Sequence, residues 1–156
     1  MVGLTAAGTA PTTAIHRRVA VLRAGADPAV IARLESGWAV MGDPQVLAGY
    51  SLLLPDPVVG HLNALDGRAR AAFLADMALL GDALLEATGA LRINYAMFGN
   101  VEPALHAHLF PRRGDEPAAL ATAQPWALDW TAAPRWSAER HGALLACLRT
   151  ALAARA

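Results

Sequence analysis

Two histidines, His106 and His108, sit two residues apart in the run "ALHAHLF", residues 104 to 110. In an extended strand, side chains at i and i+2 share a face, roughly 7 Å apart along the chain. Ala104, His106, His108 and Phe110 then point one way, and Leu105, Ala107 and Leu109 the other. The apolar set is expected to face a core or a helix, and the histidine set a cleft or solvent. Two imidazoles on one rigid strand suit phosphate chemistry. One neutral ring can attack phosphorus while its neighbour donates to a phosphate oxygen. Two other readings compete: incidental histidines on an exposed strand face, and a metal clip. A clip needs at least one more ligand. The other histidines are His16, His61 and His141, and no cysteine or carboxylate cluster accompanies the pair. No metal site is therefore expected.

The elements that must hold this pair can be read from periodicity and punctuation. Residues 1–13 are small and polar and predict a flexible tail, with a single domain over 14–156. "AIHRRVAVLRAG" predicts a short amphipathic helix. Asp27, followed by Pro28, predicts the start of a second, ended by Gly37. "WAVM" from Trp38 and "YSLLLP" from Tyr50 predict strands, separated by Gly42, Asp43 and Pro44 and ended by Pro55. Asp66 opens the longest helix, in which Phe73, Met77, Leu80 and Leu84 keep helical spacing and Gly89 marks the stop. "LRINYAM" alternates, with Leu91, Ile93, Tyr95 and Met97 on one side and Arg92, Asn94 and Ala96 on the other. "FGN" turns the chain toward the histidine strand. Ser137 can cap a last helix. Short strands joined by tight turns, with one long helix between pairs, predict an antiparallel sheet of α+β class.

Composition narrows the functions. The chain has 156 residues, is 55% hydrophobic and 17% charged, and carries 13 basic and 13 acidic side chains. A balanced charge with no basic block argues against binding nucleic acid or an acidic membrane surface. No run approaches the ~18 apolar residues needed to span a bilayer. A start without a basic segment and a long apolar core is not that of a signal peptide. The single cysteine, Cys147, excludes an intrachain disulfide. Set in "ALLACLRTAL", it reads as a small buried hydrophobe. The cytoplasm is the expected location. Phosphate loops of the GxxxxGK type and a G-x-S-x-G elbow are absent.

The wider stretch "RINYAMFGNVEPALHAHLFPRR" resembles the histidine-triad superfamily of nucleotide hydrolases and transferases. The family pattern is His, apolar, His, apolar, His and two apolar residues, closing a strand that follows an Asn-bearing strand and a Gly-rich turn. Here it reads Ala104, Leu105, His106, Ala107, His108, Leu109, Phe110, then Pro111 and Arg112. Upstream, "VMGDPQVLAGYSLLLPDPVVGHLNALD" is similar to that family's paired strands and the lead into its long helix. The resemblance runs from about Trp38 to Arg113. It implies a histidine-triad-like antiparallel sheet of about five strands, one long helix, and further helices at the N- and C-terminal ends.

By position, the resemblance implies that His106 is the nucleophile taking the α-phosphate, and that His108 hydrogen-bonds that phosphate or the leaving group. Asn94 matches a phosphate-side asparagine, and Asn100 in the turn is placed to hold the leaving group. Gly42 and Asp43 lie where the family grips the ribose, with apolar side chains near Val40 sandwiching the base. Two positions depart from the pattern. Ala104 replaces the first histidine, and Tyr50 stands where many members have a histidine. Histidine at 108, where the transferase branch has glutamine, implies hydrolysis. The implied function is a hydrolase acting on the α-phosphate of a purine nucleotide conjugate, a dinucleoside polyphosphate or a phosphoramidate, through a nucleotidyl-histidine. It uses no cofactor and no protein-bound metal, and the family commonly forms homodimers. The alternative is a nucleotide-binding module with weak or no catalysis, disabled at Ala104. Arg112 and Arg113 are candidates to meet phosphate or to be solvated strand-end charges. The tryptophans of "PWALDW" and Trp136 are candidates to cover the base or a partner subunit, with packing in a core or interface the favoured expectation.

Overall fold

The strand "SLLLP" marks the centre of the sheet. The protein's structure, a computed structural model, describes residues 12–155. Its strands are β1 (Val30–Arg33), β2 (Gly37–Met41), β3 (Ser51–Pro55), β4 (Arg92–Ala96) and β5 (Ala107–Arg112). They form one antiparallel sheet in the order β1-β2-β3-β5-β4. All five residues of β3 are buried, because layers cover both faces of the central strand. The helices are α1 (Ala14–Arg23), α2 (Gly67–Thr88), α3 (Ala118–Ala121) and α4 (Ala138–Ala153). This is the expected α+β fold of five strands, one long helix and flanking terminal helices.

Strand alternation sorts the side chains into two layers. Ala39, Met41, Leu53, Ala107 and Leu109 face α2 and α4, where they meet Phe73, Leu80, Leu84, Leu145 and Leu148. Val40, Leu52, Leu54 and Phe110 face the other way, toward Ile15, Val19 and Leu22 of α1 and toward Tyr50 and Trp130. The helix ends follow their sequence signals. Asp66 accepts the Ala69 N–H at 2.8 Å, and Gly89 takes the left-handed conformation, φ 66°, that closes α2. Ser137 accepts the Arg140 N–H at 3.3 Å.

Two expectations are corrected, and a third falls mostly outside the described residues. The helix after Asp27 is absent: Asp27 caps one turn through the Ala29 N–H, and β1 follows. β-Branched Val30 and Ile31 pair with β2 more favourably than they would sustain so short a helix. Cys147 is exposed, because the buried stripe of α4 runs through Leu145, Leu148, Ala151 and Leu152. The tail expected over 1–13 lies outside the described residues up to 11, but Thr13 is buried and caps α1 in a reciprocal pair with His16. No helix among the described residues is long and apolar enough to cross a membrane.

Candidate functional site

His106 lies one residue before β5, in the approach from the Gly99 turn, and is only 8% exposed. Its Nδ1 is 2.7 Å from the Ala104 carbonyl oxygen. A carbonyl can only accept, so Nδ1 of the neutral ring carries the proton and Nε2 holds the lone pair. The ring is thereby set with its basic nitrogen as the one left for the cleft it lines. Ala104 contributes this contact through its main chain, so the orientation of His106 needs no particular side chain at 104.

His108 is the second residue of β5, opposite Leu52 of β3. Its Nδ1 lies 2.7 Å from the Tyr50 phenol oxygen. The two imidazole centroids are 4.7 Å apart at 72°. Behind them the rings form a stack, with Tyr50 and Phe110 at 4.6 Å and 4°, and Phe110 and His108 at 5.8 Å and 7°. Trp126 stands edge-on to His108 at 5.1 Å. Burial, and secondarily the charge of His106, lower the His108 pKa to about 4, so this ring is neutral at pH 7. Burial raises the Tyr50 pKa, which keeps the phenol protonated as a hydrogen-bond partner for Nδ1.

Both histidines line a cleft of about 390 Å³ with Phe98, Gly99, Asn100, Val101, Glu102 and Trp126. Glu102 ties the cleft to α1 by accepting the Ile15 N–H at 3.1 Å. Burial would raise its carboxyl pKa, but hydrogen bonds from Thr13 and from the Ile15 and Ala14 amides, with His106 nearby, outweigh that and lower it.

The other expected residues divide. Asn100 lines the histidine cleft. Asn94 lines the adjoining one, and its Oδ1 accepts from Arg112 at 2.9 Å. Gly42 and Asp43 do not line either cleft. Gly42 lies under the Tyr50 ring, where a Cβ would come within 2.2 Å of it. Asp43 pairs with Arg135 at 2.7 Å and accepts the Trp136 N–H at 3.0 Å. One of the two is thus covered by a ring, and the other is tied to the segment before α4.

Arg112 is neither solvated nor free for phosphate. It is 7% exposed and binds Glu116 at 2.8 Å and the Leu120 and Ala123 carbonyls at 2.8 Å each. Arg113 pairs with Asp115 and donates to the Thr88 carbonyl. Of the tryptophans, Trp130 packs against the Tyr50 cluster as expected, while Trp126 stays half-exposed as a cleft wall. Among the described residues, no group of three or more His, Cys, Asp or Glu is placed to hold a metal ion. Phe98, Val101 and Glu102 are cleft residues that sequence reasoning missed, while for Trp126 it favours a core or interface. The only signal for the missed ones was an aromatic at the edge of the "FGN" turn.

No protein-family model matches the chain, and no curated protein does. Solved structures match well. A histidine triad protein from Marinobacter aquaeolei VT8 aligns with a TM-score of 0.72 over 92% of this chain and 98% of its own, at 18% identity. One from Sinorhizobium meliloti 1021 aligns at 0.67 over 83% of this chain and 93% of its own, at 23% identity. A zinc-bound histidine triad family protein from Mycobacterium smegmatis aligns at 0.64 over 86% and 91%, at 20% identity. Likeness at these identities speaks to architecture, and by it the chain has the fold of solved histidine triad proteins.

Proposed function

We propose that the protein is a nucleotide hydrolase acting at an α-phosphate, with a dinucleoside polyphosphate or a nucleoside phosphoramidate as substrate. The observation that carries this reading is the Nδ1 contact of His106 with the Ala104 carbonyl, which leaves a basic Nε2 to the cleft. In the proposed reaction the Nε2 lone pair forms a bond to phosphorus as the bond to the leaving group breaks, and the leaving group departs with a proton taken from solvent. Water then attacks the nucleotidyl-histidine. It releases the nucleoside monophosphate and a proton, and returns His106 to its starting state. His108, neutral and with Nδ1 facing the Tyr50 phenol, presents an Nε2–H to a phosphate oxygen or the leaving group. Asn100 is placed beside them. We assign the protein to the cytoplasm and to a twofold dimer, for which the β4 edge with exposed Leu91 and Tyr95 offers a surface.

Incubation with an adenosine phosphoramidate and with a diadenosine polyphosphate tests the reading. Turnover is expected, and His106→Ala is expected to lower it by at least ~10³-fold, the scale of losing a nucleophile. Full turnover in that variant would remove His106 as the nucleophile, and AMP binding with no turnover of either substrate would leave only the binding-module reading that Ala104 invites.

A further inference from the structure

The histidine face of the sheet has a closed end and an open end, and the difference bears on where a nucleotide's base can go. At the β2 end, Val40 and Tyr50 are 0% and 4% exposed, Ile15 and Val19 of α1 are buried against them, and Trp130 stands edge-on to Tyr50 at 5.5 Å. A planar ring cannot enter there without displacing Trp130 or α1. At the β4 end, a cleft of about 300 Å³ is lined by Asn94, Ala96, Phe98, Phe110, Gln124 and Trp126, among others. It shares the Phe98 and Trp126 walls with the histidine cleft.

We infer that the Phe98–Trp126 cleft takes the aromatic base of the nucleotide whose phosphate meets His106, in place of the strand end at Val40 to Asp43. The inference rests on the nucleotide reading above. The two rings touch edge to face, 5.1 Å centre to centre at 60°, and so form one aromatic surface, about half exposed at 52% and 47%. Large exposed aromatics beside a reaction cleft offer stacking faces to any base. The polar lining fits the edge of a base as well. Arg112 donates to Asn94 Oδ1, which fixes the amide's orientation, and the Asn94 NH2 has no partner among the described residues. Apolar walls with a few convergent polar groups are the usual build of a small-molecule site.

Calorimetric titration of the full chain with AMP and with ribose 5-phosphate, which lacks the base, tests this. AMP is expected to bind more tightly by ~10-fold or more, the scale of one base stacked on an aromatic ring. Trp126→Ala and Phe98→Ala are each expected to weaken AMP by more than ribose 5-phosphate and so to remove most of that difference, with circular dichroism confirming the fold. Equal binding of the two ligands, no AMP binding, or an unchanged preference in both variants overturns the inference. His106→Ala separates it from the hydrolase reading, since turnover is lost there while the base preference persists. A chain that binds AMP through Trp126 yet turns nothing over sinks the hydrolase and upholds the base site.

Discussion

The two faces of the sheet are built from different chemistry. Under α2 and α4, the sheet meets its cover through Ala39, Met41, Leu53, Leu109, Phe73, Leu80 and Leu84, with the buried carboxylate of α2, Asp76, at its margin and bonded to Ser36. The opposite face carries Tyr50, His106, His108 and Phe110, continues to Arg112, and is covered by α1 and Trp130. The first face is held by apolar burial and dispersion, which do not depend on proton activity. The second buries groups that must be satisfied one by one, and each satisfaction has a geometric consequence. His106 is set by a carbonyl, His108 by a phenol, and Arg112 by a carboxylate and two carbonyls. Stability and positioning are thus divided between the faces, and three measurements can test that division.

Phe73→Ala on the helix face should cost roughly 4 kcal/mol, the range for deleting a fully buried ring. Urea melts should show the same loss at pH 5 and pH 7.5. A loss that changes with pH would break the division. Arg112→Ala on the histidine face should cost roughly 3 kcal/mol, because Glu116, largely covered, and the Leu120 and Ala123 carbonyls lose their donor. Lysine at 112 should recover only part of it, lacking the planar fork that serves several acceptors at once. The smallest effect is the pH slope of His108. Its folded pKa, about 4, lies below the ordinary 6.5, so between those values the unfolded chain binds the proton that the folded chain refuses. Its neutral burial is fully compatible with folding above pH 6.5, and stability falls as pH drops from 6.5 toward 4. The loss should reach ~2 kcal/mol once the exposed part of the ring is discounted. His108→Gln should flatten this slope in urea melts taken from pH 7.5 to 4. An unchanged slope would place the titrating group elsewhere.

The aliphatic face was almost wholly legible. Spacing within α2 named Phe73, Leu80 and Leu84, and alternation placed Leu105, Ala107 and Leu109 under the helices. Caps at Asp66 and Ser137 and the stop at Gly89 follow from local chemistry alone. Nine residues after Asp27 misled because a capping aspartate and a proline open a turn as readily as a helix, and only pairing with β2 decides. On the histidine face, alternation placed both imidazoles on one side but could not say what holds them. The partners are distant in the chain: Tyr50 is 58 residues from His108, and Ile15 is 87 from Glu102. Arg112 illustrates the limit in the other direction. Its partners are mostly close in sequence, yet a solvated charge and a buried hub of four acceptors look alike until the chain after Gly114 folds back over it.

The contact between His106 and position 104 has a genetic consequence. Every amino acid brings a main-chain carbonyl, so no single substitution at 104 can delete the acceptor that fixes the tautomer of His106. Side chains at 104 can be exchanged for their fit among Phe110, Leu54 and α1 without rewriting the protonation pattern next door. At position 50, by contrast, the partner of His108 is a side-chain hydroxyl, and one codon change to phenylalanine removes it. Of the two rings, the proposed nucleophile is the one whose orientation is buffered against point mutation.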